Sequence, residues 1–228
     1  EGISNIYSYP EDKIVNIGAG YNEKIFYPAE KYEKQNNVKI LYAGKFDESK
    51  GFYELIKAFR LLEEKDNNVE LELIGNLKEE DRPRVEALVG DSKRIKIYNA
   101  VDQAHLGEIM RHKDIFILPS YFEGLGLIAV EALGSGLRVV ATEIEGLIEF
   151  LGDTINNSEI IEYIAMPTIY DTDKAVEEEK PAFVNRIVGA LELMIERTRE
   201  QREISAELLE EIEHHSWKRK IEIIYKLL

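Results

Sequence analysis

Apolar residues along the chain fall into short runs separated by longer amphipathic stretches. Ile115–Leu118 has the length and composition of a buried strand, and Val38–Ala43, Val69–Ile74, Ile95 with Ile97 and Tyr98, and residues 137–141 read as further strands. Between the first two, Leu55, Ile56, Phe59 and Leu62 recur at helical spacing and predict an amphipathic helix of about four turns. Residues 79–89 and 102–112 predict two more helices, with Pro83 acceptable in the first turn of the former. Leu127, Ile128, Val130, Glu131, Ala132 and Leu133 read as a short helix closed by Gly134 and Gly136. Strands alternating with helices predict an α/β fold: a single Rossmann-like domain with a parallel sheet covered by helices on both faces.

The flanks carry weaker patterns. Ile14, Val15 and Ile17 suggest a strand before the Gly18-Ala19-Gly20 turn, and residues 29–37 read as a polar surface loop. Residues 160–165 suggest a last strand, and 171–180 a charged linker in which Glu177-Glu178-Glu179 is a solvated run. From Pro181 the pattern is helical, with Phe183, Ile187, Ala190, Leu191 and Met194 on one face, then 204–212. A final helix over 218–228 is capped by Ser216. The chain thus divides into a lead-in (1–37), a core (38–165) and carboxyl-terminal helices (181–228) of one domain spanning 1–228. His214 and His215 are adjacent, so on a helix they point in different directions and do not read as a metal pair.

Composition narrows the function. A chain of 228 residues, 44% hydrophobic and 32% charged, is long enough for a proper core. Its net charge of −15 argues against nucleic acid as a partner and disfavours electrostatic docking on an anionic membrane. The sequence has no cysteine, which excludes disulfides and thiolate chemistry. It shows no signal peptide and no bilayer-length apolar run, and we read it as cytoplasmic.

The candidate chemistry is concentrated in residues 114–141. Pro119 and Ser120 stop a buried strand, a turn with Gly124 and Gly126 follows, and a helix starts near Leu127. Such a helix start offers unpaired N–H groups and a positive dipole end to a phosphate, at the carboxyl edge where α/β sheets bind ligands. Glu123 and Glu131 bracket the turn. Beside an anion site, carboxylates accept hydrogen bonds from hydroxyls, such as those of a sugar or ribose.

The string Pro119-Ser120-x-x-Glu123-Gly124-x-Gly126-Leu127-x-x-x-Glu131-Ala132-x-x-x-Gly136 resembles the donor-site signature of glycosyltransferase family 4, with its E-x7-E pattern. Other stretches resemble the same family. Residues 20–28 are similar to the segment opening its second half, with Ala19 and Asn22 in place of Asn and Asp. Gly44 to Gly51 resembles Gly-Arg-Leu-x-x-x-Lys-Gly, with Lys45 at the arginine position and Lys50 at the lysine. Gly75-Asn76 departs from the family's Gly-x-Gly-Pro, and Asn99 replaces a common glycine. Thr142 to Glu149 resembles Thr-x-x-Gly-Gly-x-x-Glu with Glu145 for one glycine, near where the family holds the donor sugar. His215-Ser216-Trp217 is similar to the family's Phe-Ser-Trp.

The resemblance implies the carboxyl-terminal half of a GT-B fold and a retaining, metal-independent hexosyl transfer to a glycan or lipid acceptor. No cofactor is implied beyond the substrate, a nucleotide-diphosphate sugar of the UDP or GDP type. By the same resemblance Glu123 takes the catalytic position against the donor sugar and Glu131 holds the ribose. Lys45 and Lys50, with the amides of Gly124, Leu125, Gly126 and Leu127, hold the diphosphate. Ala100 and Val101 meet the base. The family's amino-terminal acceptor domain is absent, so the chain is expected to bind donor without transferring sugar, and exposed apolar side chains are expected around the 119–127 turn. The parent enzyme is compatible with a peripheral place at a membrane. Two other readings stay open: a non-catalytic nucleotide-sugar binding module on the same fold, and a receiver-like doubly wound interaction domain.

Overall fold

Ile115–Leu118 (β4) is buried at all four positions, and its side chains alternate between two cores. Ile115 and Ile117 enter one cluster, Phe116 and Leu118 the other. Val38–Ala43 (β1) divides in the same way, with Ile40 and Tyr42 opposed to Leu41 and Ala43. A strand covered on both faces needs apolar residues at both parities, which is why these segments read as continuous runs.

The computed structural model describes residue 14 and residues 17–30 and 36–227. After β1 come α1 (Phe52–Lys65), β2 (Val69–Ile74), α2 (Arg82–Val89), β3 (Ile95–Tyr98) and α3 (Gln103–Met110). Beyond β4 come α4 (Leu127–Gly134), β5 (Arg138–Thr142), α5 (Glu145–Asn156) and β6 (Ile161–Ile164). The six strands pair in parallel in the order β3-β2-β1-β4-β5-β6, with Ile40 opposite Ile115 across the centre. This is the 3-2-1-4-5-6 order of Rossmann folds, not the 2-1-3-4-5 of receiver-type domains. α1 and α6 (Lys180–Glu200) cover one face through Phe52, Phe59, Phe183 and Leu191. α4, α5 and α7 (Ala206–Glu213) cover the other through Val130, Leu133, Leu151 and Ile212.

Several expectations are corrected. The strand read from Ile14, Val15 and Ile17 lies partly outside the described residues, and neither Ile14 nor Ile17 is in a strand. Most of the expected loop at 29–37 also lies outside them. The helix read over 79–89 starts at Arg82, after a turn closed by Asp81 N–H to Lys78 O. That read over 102–112 spans Gln103–Met110, capped by the Asp102 carboxylate accepting from His105 N–H. The linker 171–180 contains a small hairpin, β7 (Ile169–Tyr170) with β8 (Lys174–Ala175), turned at Asp171 and Thr172 with positive φ. α5 had no helical reading because Gly146 and Gly152 interrupt its pattern, and the backbone is non-helical at Gly152.

The carboxyl terminus is clasped to the lead-in. Tyr21 N–H donates to His215 O at 3.1 Å and Trp217 N–H to Tyr21 O at 2.9 Å. Ser216 Oγ accepts from Arg219 N–H at 3.3 Å, capping α8 (Trp217–Leu227). The Trp217 ring lies against Gly20, where a Cβ would come within 2.9 Å of it. The His215 ring packs on Phe150, whereas His214 pairs with Glu211. No helix among the described residues is long and apolar enough to cross a membrane.

Candidate functional site

The chain runs from β1 outward to β3 and then returns to β4, so the loops after β1 and β4 leave the sheet side by side in opposite directions. That divergence opens a crevice at the carboxyl edge, the place where open α/β sheets bind ligands. Here the loop after β1 carries Lys45 and Lys50, and the loop after β4 carries Glu123 and the glycine turn.

The two loops are tied together. Tyr121 N–H donates to Ser49 O at 2.8 Å. Lys50 Nζ donates to Glu123 Oε1 at 2.8 Å and to Phe122 O at 2.9 Å. The same Glu123 oxygen accepts from the buried Ser120 hydroxyl at 3.0 Å, and the Ser120 carbonyl accepts from Thr142 Oγ1 at 2.6 Å. Glu123 is therefore held on three elements by one cation and one hydroxyl. The turn after β1 is anchored by the buried Tyr42 hydroxyl donating to Lys45 O and by Phe46 stacked on Phe52. The Lys45 ammonium itself is exposed and has no partner among the described residues.

Two helix amino termini meet at the glycine turn. α4 begins at Gly126, which is left-handed at φ 68° and provides no side-chain cap. α5 begins at Ile144, also with no capping side chain, and Gly146 in its first turn packs on the turn so closely that a Cβ would lie 2.4 Å from Gly124 O. Only glycine permits that approach. The result is a small concave surface lined by unpaired backbone donors, suited to an anion. Glu145, at the start of α5, is exposed.

A cavity of about 450 Å³ adjoins this surface, lined among others by Lys45, Asn76, Ala100, Val101, Leu106 and Ile128. Lys45, Ala100 and Val101, three predicted site residues, thus share one cavity. Lys50, Glu123 and Gly124 to Leu127 stand beside it and outside its lining. Glu131 lies one helical turn along α4 from Ile128. It is 8% exposed, its carboxylate has no hydrogen-bond or ion-pair partner among the described residues, and burial lifts its pKa to about 7. A carboxylate without such a partner ties no other element in place.

Sequence reasoning passed over several contributors. Ser120 and Thr142 stand inside quoted motifs, but the bonds that make them supports for Glu123 are visible only in three dimensions. Lys180 is only 5% exposed and pairs with Glu48 and, at 2.5 Å, with Glu177, so it fastens the segment after the hairpin to the turn that bears Lys50. No local signal marks that contact.

Comparisons with known proteins give the family and the fold. A profile of the family described as "Glycosyl transferases group 1" matches residues 17–163. Capsular polysaccharide biosynthesis glycosyltransferase CapM of Staphylococcus aureus is 28% identical over 172 residues, covering 65% of this chain and 41% of CapM. The chain therefore spans well under half the length of that relative. Among solved structures, the C-terminal domain of the group 1 glycosyl transferase LpcC from Francisella tularensis superposes with a TM-score of 0.60 at 22% identity, over 90% of this chain and 98% of that one. Anabaena HepE, solved in complex with UDP and glucose, gives a TM-score of 0.64 at 17% identity, over 91% of this chain and 55% of that one. The chain belongs to the group 1 glycosyl transferases and corresponds to the carboxyl-terminal donor domain of their GT-B fold.

Proposed function

We propose that this domain binds a nucleotide-diphosphate sugar as the donor of a retaining, metal-independent hexosyl transfer, in the cytoplasm, to a glycan or lipid acceptor held by another half of the parent enzyme. The observation that carries the reading is the convergence at the β1–β4 switch point of Lys50, Glu123 and two uncapped helix amino termini. A diphosphate leaving group gathers negative charge as the glycosidic bond breaks, and preoriented donors and cations at that place stabilise it. In this reading Lys45, Lys50 and the amides of Gly124 to Leu127 hold the diphosphate, Glu123 faces the donor sugar, Glu131 accepts from the ribose hydroxyls, and Ala100 and Val101 border the base. HepE, crystallised with UDP and glucose, is a relative in fold that supports a donor of this class. Phe122, 53% exposed, with Val101 and Tyr98 leaves an apolar rim at this edge, which supports its being covered by an acceptor-binding half.

Calorimetric titration of the chain with UDP, GDP and ADP tests the proposal. Selective binding of one nucleotide is expected, and absence of binding at millimolar concentration overturns it. Glu131 adds a pH signature. Hydrogen bonds from ribose hydroxyls favour its charged form, so binding lowers a pKa that burial holds at about 7 and releases a proton. Affinity is expected to fall by up to about 10-fold between pH 8 and pH 6. Glu131→Gln leaves only the pH dependence of the phosphate itself, which titrations in buffers of different ionisation enthalpy resolve. The sign for the empty chain is opposite. A carboxyl whose folded pKa is raised from 4.5 stabilises the fold fully below that value and loses the contribution as pH rises through about 7. Unliganded Glu131→Gln should therefore gain stability over the parent at pH 8 and not at pH 4.

A further inference from the structure

The apolar walls of the cavity beside Lys45 come from Ile74, Val101, Leu106 and Ile128, and its volume of about 450 Å³ suits a planar base. Its polar side chains are few, and one of them has a fixed orientation. Asn76 Oδ1 accepts from Ala100 N–H at 3.4 Å. A backbone N–H can only donate, so the oxygen of the Asn76 amide must face Ala100 and the Nδ2 group must face away. Nδ2 has no partner among the described residues. The backbone that carries it is pinned: Gly75 N–H donates to Tyr98 O at 3.1 Å, Gly44 N–H to Ile74 O at 3.0 Å, and a Cβ at position 75 would lie 2.1 Å from Gly44 O. Asn76 thus takes up the donor of the loop after β3 and presents its own donors on a rigid strand end.

We infer that Asn76 selects the nucleobase, favouring one with a ring carbonyl at the edge that meets it over one with an amino group there. The inference rests on the donor-binding reading above. Uracil and guanine offer a carbonyl oxygen that accepts from Nδ2. Adenine and cytosine present an amino group at the corresponding position, which sets donor against donor and forms no bond with Nδ2. Uridine and guanosine diphosphates should bind at least about 10-fold more tightly than adenosine and cytidine diphosphates, and the fit of a one-ring or two-ring base decides between the first two.

The test is calorimetric titration with UDP, GDP, ADP and CDP of the parent chain, Asn76→Asp, Asn76→Ala and Lys50→Ala, with thermal unfolding recorded for each. Asn76→Asp keeps an acceptor for Ala100 N–H and turns the outward atom from donor to acceptor. The ratio of carbonyl-base to amino-base affinity should fall by about 10-fold or more, whatever the added charge does to all four ligands together. Asn76→Ala should flatten the ratio without inverting it. Lys50→Ala should weaken all four by a common factor. If nucleotides bind and weaken with Lys50→Ala but the ratio ignores position 76, the inference is wrong and the donor reading stands. If none of the four binds the parent chain, both fall.

Discussion

Lys50→Ala weakens binding of the nucleoside diphosphate by about 10- to 100-fold, the range set by a charge-assisted hydrogen bond of 1.5–3 kcal/mol. The substitution acts twice. It removes the ammonium held at the mouth of the glycine turn, and it leaves Glu123, bonded only to Ser120, as an uncompensated negative charge beside the phosphate. Adding Glu123→Gln to Lys50→Ala should therefore recover part of the loss, because the repulsion goes while the missing attraction stays missing. Lys50→Arg keeps the charge with a different reach and should fall between. Stability offers a check on cause: the Lys50–Glu123 pair is about one fifth exposed at each end, and pairs of this kind contribute about 1 kcal/mol or less. A large loss of affinity with little change in melting temperature is the expected combination. Unchanged affinity in Lys50→Ala would place the phosphate elsewhere.

Gly51→Ala should lower stability by about 3 kcal/mol, roughly 6–12 °C in melting temperature for a chain of this size. Gly51 ends the short turn Glu48–Lys50 and starts α1 at φ 61° and ψ 18°. A left-handed alanine costs about 1–2 kcal/mol by itself. The rest is steric, because the added methyl carbon would lie 2.1 Å from Pro119 O. Relief requires the loops after β1 and β4 to separate, against the 2.8 Å bond from Tyr121 N–H to Ser49 O. Lys50, the adjacent residue, would move with its loop away from Glu123, so nucleotide affinity should fall as well. Gly124→Ala is the contrast: a Cβ there meets nothing within 4 Å, and the variant should melt with the parent. A Gly51→Ala protein that melts within 2 °C or so of the parent would disprove this account of how the loops are held.

The sheet was legible in the sequence wherever a strand is buried on both faces. Ile115–Leu118 and Val38–Ala43 announce themselves because each must satisfy two cores at once. The glycine turn was legible for a similar reason, since its residue types answer a local backbone demand. What escaped was long-range or locally contradictory. Lys50 and Glu123 are 73 residues apart, and their contact follows from strand order. Asn76 sits at the end of a legible strand, but its role depends on Ala100, 24 residues on. α5 starts at Ile144 without a capping side chain and is broken by Gly152, so its helical period is short and interrupted. Lys180 follows three glutamates and reads as one more solvated charge. It is buried because Glu48, 132 residues away, lies across from it.

The clasp between the lead-in and α8 has an optical consequence. Trp217 is the only tryptophan of the chain and is 42% exposed, with its ring against Gly20. It lies at the Gly134 end of α4, whose first turn faces the crevice, since Tyr21 of the clasp touches Gly134. Intrinsic fluorescence is thus a reporter of tail docking and not of the crevice. Saturation with nucleotide should leave the emission maximum where it is, whereas release of α8 from Tyr21 should shift it to the red. Followed against far-ultraviolet ellipticity in a denaturant series, a red shift that precedes loss of ellipticity would identify the tail as a unit that detaches before the sheet comes apart.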